Sequence, residues 1–314
     1  MLSPSPEAQQ LATYVGWLPH QTWAGISAPN RVTSMNIAIA ILSPGAMGSA
    51  ISMRLVEQGV RVLTSLDGRS AATGDRARAA GMEDVSLEAI ATADVILSIV
   101  PPGEALALAK GLVTRLSESR HKPVYIDCNA LSPKSKTEIA GTLAETGCDI
   151  VDGAIVGAPP RPGEKGPRIY VSGDQGDRAS ILRTLGLDLR RIDGPIGAAA
   201  ALKMSYAGIN KGMVAIGTAM LLAASRSGAS TGLYQELGES LPQLLSKFET
   251  GIPDMYPKAY RWVAEMREIA AFLGEDKAAA MIFEGAAQLY ARLATDIANE
   301  GRERETLDGF FRSS

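Results

Sequence analysis

Short apolar runs alternate with amphipathic stretches over the first two thirds of the chain. Runs rich in Val, Ile, Leu and Ala predict strands at residues 36–42, 61–65, 94–100, 124–129, 149–156 and 168–172, with a short one near 187–192. Helical spacing is found between them, at 48–58, 70–80, 104–116 and 133–145. This alternation is typical of a parallel sheet with crossover helices. The first four strands carry little charge, as is usual for strands that are covered on both faces.

The strand signals stop near residue 195. Residues 196–227 read as one long helix, and 260–273 and 277–297 are helical as well. The pattern therefore predicts an α/β fold with a doubly wound sheet at 35–195, followed by an all-α domain at 196–314 that a long helix joins to it. Residues 1–34 contain four prolines and no sustained period, and we expect them to form a flexible extension.

Composition excludes several classes of function. The chain has 314 residues, 46% of them hydrophobic, and a formal charge of −3, so nothing indicates a nucleic-acid partner. Two cysteines and two histidines predict neither a metal site nor a disulfide framework. No apolar run looks long and uninterrupted enough to span a bilayer. We expect a cytoplasmic protein without a membrane partner.

A glycine-containing turn follows the first predicted strand and opens a helix. It reads Ser-Pro-Gly-Ala-Met-Gly over residues 43–48. A dinucleotide pyrophosphate would approach the backbone at the middle glycine and meet the unpaired amides of the helix start, while the last glycine allows close packing of helix and sheet. A serine in the first glycine's place requires a backbone conformation that is open to non-glycine residues. The candidate cofactor ligands are Ser43, Gly45, Ala46, Met47 and Gly48; an ordinary glycine-rich turn is the alternative.

The end of the second strand offers candidates for the adenosine ribose. Asp67 lies about twenty residues past the turn, where a carboxylate accepts a hydrogen bond from the 2′-hydroxyl of NAD. Arg69 and Ser70 would instead bind the 2′-phosphate of NADP. Both cofactors remain open, and we prefer NADP.

The long helix carries one lysine within an apolar stretch. Tyr206 and Asn210 share a face with Lys203, at i+3 and i+7. If Lys203 is buried near the helix start, desolvation and the helix dipole lower its pKa, and it can act as a general acid/base. The alternative is a lysine that reaches water past small neighbours.

These motifs, in this order, resemble the β-hydroxyacid dehydrogenase and 6-phosphogluconate dehydrogenase superfamily from about residue 35 onward. The resemblance implies a Rossmann-type first domain, a helical domain that forms a homodimer, and Lys203 as the catalytic residue. Residues 98–101, with Val100 and Pro101, are similar to the strand end beside the cofactor. Asn129 occupies a serine position next to the nicotinamide.

Other positions depart from the superfamily pattern. Residues 152–158 are similar to its substrate loop, with Val156 in place of a serine and Gly157 retained. Ala207 replaces a substrate-binding asparagine, and Asn210 stands where phosphogluconate enzymes carry a glutamate. Residues 266–269 are similar to a C-terminal segment near the cofactor, and we expect Arg267 to contact the substrate.

The main hypothesis is an NAD(P)-dependent oxidoreductase that acts on the alcohol carbon of a small, acidic hydroxy acid or sugar acid. Lys203, Asn210 and Tyr206 are its candidate catalytic residues, and Asn129, Gly157 and Arg267 its candidate substrate ligands. One alternative is imine reduction, although imine-reducing relatives usually lack the lysine. The other alternative is a non-catalytic, NADP(H)-binding regulatory protein.

Overall fold

Eight strands form one sheet in the computed structural model, which describes residues 37–160 and 166–312. Seven of the strands were predicted, and the eighth, β3, is only two acidic residues long. They are β1 Ala38–Leu42, β2 Arg61–Thr64, β3 Glu83–Asp84, β4 Val95–Ser98, β5 Val124–Asp127, β6 Asp149–Val156, β7 Arg168–Ser172 and β8 Asp188–Arg191.

The strand order is β3-β2-β1-β4-β5-β6-β7-β8. All neighbouring pairs are parallel except β6 and β7, which are antiparallel. The expectation of an all-parallel sheet is therefore wrong at this one pair. The connection from Val156 to Arg168 is too short for the crossover that a parallel pair requires, so the chain turns back on itself.

Six helices accompany the sheet: α1 Ala46–Glu57, α2 Ala71–Ala79, α3 Leu87–Ile90, α4 Ala105–Glu118, α5 Pro133–Leu143 and α6 Ile181–Thr184. They cover both sheet faces. Along β1, Ile39 and Ile41 point into one apolar core and Ala40 and Leu42 into another, as the alternation of side chains along a strand requires.

The chain is helical after β8. The helices are α7 Ala198–Arg226, α8 Ser230–Ser240, α9 Pro242–Met255, α10 Ala259–Phe272, α11 Lys277–Ala298 and α12 Arg302–Phe311. They share a third core that includes Phe248, Tyr290 and Phe310. The predicted order, a Rossmann-type sheet followed by an all-α region, is confirmed.

Helix α7 is the central element of the helical region. A Cβ atom on its Gly217 would lie 2.5 Å from the ring of Phe248, so α9 packs directly on the α7 backbone. By length and composition alone, α7 is also apolar enough to cross a membrane. Its most apolar 18-residue window has a mean hydropathy of 1.4. The expectation that no run is apolar enough for this is therefore wrong. Of this window, 44% is buried within the protein.

Two predictions concern the limits of the domains. The proposed extension at 1–34 lies outside the described residues, and the described unit begins at Ile37. The boundary at 195–196 stays a prediction; β8 ends at Arg191 and α7 begins at Ala198.

Candidate active site

The turn after β1 depends on a serine in a conformation that usually requires glycine. Ser43 has a φ of 125° and is the only non-glycine residue with positive φ within 37–160 and 166–312. The expectation that the first position of the turn accepts an ordinary non-glycine backbone is therefore wrong. The first position of the turn therefore has a backbone conformation that favours glycine, and the serine bears a backbone strain that glycine would not.

The start of α1 is open to an anionic ligand. Gly45 is the N-cap residue and no side chain caps the helix. A Cβ atom on Gly45 would meet only the Ser43 hydroxyl, at 4.0 Å. The space above this glycine therefore exposes free amides and the positive end of the helix dipole, which fits a cofactor pyrophosphate. Ala46, the first residue of α1, is exposed beside it.

One side chain that we did not predict supports the turn from α2. The Arg76 guanidinium donates from Nε to the carbonyl oxygen of Pro44 at 3.1 Å and from Nη2 to Thr73 Oγ1 at 2.9 Å. Its charge therefore lies beside the glycine turn. The sequence alone could not single out this residue, because an arginine on an exposed helix is a common feature.

The ribose candidates lie next to the turn. Asp67 and Arg69 line a small cavity of about 150 Å³ together with Ser43. Arg69 also makes a long ion pair with Glu104, at 3.4 Å. Ser70 caps α2 by accepting a hydrogen bond from the Thr73 amide at 3.3 Å, so its hydroxyl has a structural role as well. The site presents one carboxylate and one guanidinium to the same place.

A larger cleft joins the glycine turn to helix α7. It measures about 410 Å³. The candidate residues that line it are Met47, Val100, Asn129, Gly157, Lys203, Tyr206 and Asn210. Pro101 is not among the lining residues, although its neighbour Pro102 is. Arg267 is an exposed residue of α10 and also lies outside the lining.

Lys203 lies one and a half turns into α7 and faces two cavities. It lines the cleft on one side and, on the other, a cavity of about 660 Å³ against α10. No hydrogen bond or ion pair to its ammonium is found within the part of the chain that the structure describes. Burial, and then the charge of Lys136, lower the pKa of Lys203, while Cys128 acts in the opposite direction. An unpaired lysine with a lowered pKa suits proton transfer.

Asn129 holds the ends of two strands together. Its Oδ1 accepts from the Val100 amide at 2.7 Å, and its Nδ2 donates to Ser98 Oγ at 2.9 Å. Asn129 therefore shapes the floor of the cleft.

The other two polar residues of α7 differ in their surroundings. Tyr206 is 50% exposed at the cleft edge. Asn210 donates to the Tyr206 carbonyl at 2.9 Å and accepts from Lys247 Nζ at 2.9 Å. Asn210 is thus oriented by a lysine from α9 that we did not predict as part of the site.

A second lysine of α7, also not predicted, lines the cleft. Lys211 Nζ pairs with Glu265 and lies 5.2 Å from the centre of the Trp262 ring. Burial, followed by the charges of Lys203, Arg261 and Lys258, lowers the pKa of Lys211 to about 8. The sequence does show this second lysine, eight residues after Lys203. The cleft therefore has two cations on the same helix.

A buried ion cluster lies under the cleft. Lys136 Nζ contacts Oδ1 of Asp127 at 3.0 Å and Oδ1 of Asp152 at 3.4 Å. The other carboxylate oxygen of Asp152 accepts hydrogen bonds from the amides of Gly197 and Ala200, at 3.0 and 3.1 Å. Asp152 therefore binds the first turn of the helix that carries Lys203. Within the described part of the chain, no group of three or more His, Cys, Asp or Glu side chains is arranged to bind a metal ion.

Comparison with known protein families agrees with the resemblance seen in the motifs. Residues 38–186 match the NAD binding domain of 6-phosphogluconate dehydrogenase. Residues 224–293 match a domain of unknown function (DUF1932). The first match covers strands β1 to β7 and the glycine turn. The second covers much of the helical region.

Individual relatives are more distant. The 3-hydroxyisobutyrate dehydrogenase of Pseudomonas aeruginosa is 30% identical over 123 residues, which cover 38% of this chain. The match spans 40% of the length of that curated relative.

Two solved structures share the fold over most of the chain. A conserved protein of unknown function, described as structurally similar to 3-hydroxyacid dehydrogenases, is 26% identical with a TM-score of 0.73, and the match covers 86% of this chain and 99% of the other. Mycobacterium tuberculosis 3-hydroxyisobutyrate dehydrogenase with L-serine is 21% identical, with a TM-score of 0.64 and coverage of 84% and 96%; at that identity the likeness concerns the fold alone.

Proposed function

We propose that this chain, which belongs to the 6-phosphogluconate dehydrogenase-like superfamily, is an NAD(P)-dependent enzyme. It would oxidise or reduce the alcohol carbon of a small hydroxy acid or sugar acid. One observation carries the proposal. Met47 of the glycine turn and the unpaired Lys203 line the same cleft. A cofactor held at the turn and a substrate held at the lysine would therefore meet in one cavity.

The cofactor's place is supported by the fit of the turn. Gly45 leaves room for the pyrophosphate, and the start of α1 supplies amide donors. A bound nicotinamide supplies the hydride acceptor or donor of the reaction. Asp67 favours NAD and Arg69 favours NADP, and we prefer NADP because the arginine adds a charge that pairs with a phosphate.

Lys203 is proposed as the general acid/base. In the oxidation direction the neutral amine takes the proton of the substrate hydroxyl, and in the reduction direction the ammonium returns a proton to the carbonyl oxygen. The lowered pKa supports this role, because it increases the fraction of neutral amine near physiological pH. Asn129 and Tyr206 contribute hydrogen-bonding groups to the same cleft.

The charges around the cleft favour an acidic substrate. Lys211 lines the cleft, and Lys258 and Arg261 lie close enough to depress its pKa. Lys203 and Lys211 are eight residues apart, which separates their Cα atoms by about 12 Å along the helix. We therefore propose that Lys211 exchanges its pairing with Glu265 for the carboxylate or phosphate of the substrate, while Lys203 faces the carbon that reacts.

We also propose that the chain forms a homodimer through the helical region. Ile209, Ile216 and Met220 follow one side of α7 and are 53–66% exposed, and Met281 and Ile282 of α11 are exposed as well. A second copy that covers this apolar surface would remove it from water. Light scattering on the purified protein tests the dimer. A cytoplasmic location remains our expectation.

The first experiment is a thermal-shift screen with NAD⁺, NADP⁺ and the reduced forms, followed by assays on a panel of hydroxy acids with wild-type protein and Lys203→Ala. Ligand binding raises the melting temperature by linkage. We expect cofactor binding in both proteins and turnover only in the wild type. Turnover by Lys203→Ala would reject the proposed role of the lysine.

The same screen separates the two alternatives. Reduction of cyclic imines without activity on hydroxy acids would identify an imine reductase. Tight NADPH binding without turnover of any alcohol, aldehyde or imine would identify a regulatory protein.

A further inference from the structure

A buried lysine, Lys136 on α5, lies under the cleft. It is 2% exposed. Its ammonium donates to the carbonyl oxygens of Asp127 and Gly153, at 2.5 and 2.9 Å, and to Asp127 Oδ1 at 3.0 Å. A second carboxylate oxygen, Asp152 Oδ1, lies at 3.4 Å. The lysine thus joins strands β5 and β6 to the helix between them.

The cluster connects to both walls of the cleft. Asp127 Oδ1 also accepts from the amide of Asn129 at 2.9 Å, and Asn129 forms the floor. On the other side, Asp152 Oδ2 accepts from Gly197 and Ala200 at the start of α7. One buried ammonium therefore lies between the residue that shapes the floor and the helix that carries Lys203.

A second strand side chain completes the attachment of α7. Ser172 donates from Oγ to Asp152 Oδ2 at 3.1 Å and accepts from the Ala199 amide at 3.0 Å. The amides at 197, 199 and 200 are thereby bound by β6 and β7. Since a helix is rigid over six residues, the position of Lys203 is determined by where these two strands hold the helix end.

We propose that Lys136 is a positioning residue for Lys203, which it controls through Asp152 and through its own charge. The proposal rests on the proposed function of Lys203 as acid/base. It adds that the proton affinity of the lysine depends on a cation that touches neither substrate nor cofactor.

Several other titratable groups lie around Lys203 and also affect its pKa. Cys128 lines the cleft, Lys211 is on the same helix, and Glu265 and Glu268 line the second cavity from α10. Lys136 is the charged group that, after burial, contributes most to the lowered pKa of Lys203. Its removal should therefore raise that pKa, and none of the other groups is altered by the substitution.

The test uses Lys136→Met and the double variant Lys136→Met/Asp127→Asn. Methionine keeps the length of the side chain without the charge. The double variant removes one charge of each sign, and its asparagine still offers Oδ1 to the Asn129 amide. Lys134→Met is the matched control, because Lys134 lies two residues away on the same helix and is exposed.

The readout is the titration of Lys203 by NMR after reductive methylation with ¹³C-formaldehyde, with the signal assigned by Lys203→Arg. We expect the pKa of Lys203 to rise in both Lys136 variants, to rise less in the double variant because that variant also removes the anionic Asp127, and to stay unchanged in Lys134→Met. The affinity for NADP⁺, measured in parallel, should change less than threefold.

An unchanged Lys203 titration in the folded double variant would overturn the proposal. So would the failure of both Lys136 variants to fold, since Lys136 would then be required for folding alone. The outcome is separate from the dehydrogenase proposal, which fails if wild-type protein binds no nicotinamide cofactor; the titration can still be measured in that case.

Discussion

Gly48 lies so close to the turn that a Cβ atom on it would be 2.3 Å from the carbonyl oxygen of Ser43. The contact is with backbone, which cannot move aside without opening the turn. We predict that Gly48→Ala lowers the free energy of unfolding by about 1–3 kcal/mol and abolishes the thermal shift with NADP⁺.

Gly111→Ala is the control for that substitution. Gly111 lies inside α4, and nothing is found within 4 Å of its added Cβ atom. There alanine should stabilise the helix by about 0.5–1 kcal/mol. Urea unfolding measures both, and a Gly48→Ala protein as stable as wild type would contradict the packing argument.

Ser43 provides the opposite case, because glycine suits its backbone better. With φ at 125°, Ser43→Gly relieves strain but increases the entropy of the unfolded chain. We predict a net gain of about 1 kcal/mol in the free energy of unfolding. A loss of stability on this substitution would show that the hydroxyl contributes more than the strain costs.

Lys203 should make the stability of the protein depend on pH. Its pKa is lower in the folded chain than the ordinary 10.5, chiefly through burial. Between these two values the unfolded chain binds more protons, so the stability of the wild type rises with pH. Lys203→Met removes the penalty and should be more stable than wild type at pH 7, with a smaller difference at pH 10. A difference that grows with pH would contradict this sign.

The same lowered pKa predicts the form of the activity profile. In the oxidation direction the rate needs the neutral amine, so kcat should rise with pH through a value below 10.5. Reduction should show the reverse dependence. Steady-state assays in both directions measure it, and an oxidation rate that falls over this range would exclude the amine as the base.

Lys211→Met tests the anion-binding end of the cleft. Loss of a charged hydrogen-bond partner should raise KM for acidic substrates about tenfold or more, with a smaller effect on kcat. Lys277→Met, an exposed lysine at the start of α11, is the control. An unchanged KM would place the acidic group of the substrate elsewhere.

Arg69→Ala tests the choice of cofactor. If Arg69 binds the 2′-phosphate, the substitution should weaken NADP⁺ about tenfold and leave NAD⁺ unchanged. Arg78→Ala, which removes an exposed arginine from the neighbouring helix α2, should change neither. Equal effects on both cofactors would argue against a phosphate contact.

Most of the fold could be predicted from local pattern. Alternation of apolar runs identified seven strands, and helical period identified α7 to within two residues at its start. The antiparallel β6–β7 pair was not predicted although its signal was present, since only eleven residues separate the predicted strands at 149–156 and 168–172. The two-residue β3 consists of Glu83 and Asp84, residues that strands usually lack.

Site residues could be predicted only where a single stretch of the sequence contains the complete motif. The glycine turn and Lys203 are local motifs. Lys136 contacts Asp127 and Asp152, nine and sixteen residues away in the chain, and such pairs become visible only when the strands are placed. A signal did exist, since Lys136 shares its helix face with the buried Ile139 and Leu143; a lysine on an apolar face indicates a buried ion pair.

The capped end of α7 also limits how the chain can change in length. One residue inserted between Gly197 and Lys203 would rotate the lysine by about 100° and move it 1.5 Å along the axis, away from the cleft. The loop from β8 to Gly197 can absorb extra residues, because Asp152 holds the helix end in place from a separate strand. Insertions should therefore be tolerated before the cap and inactivating after it.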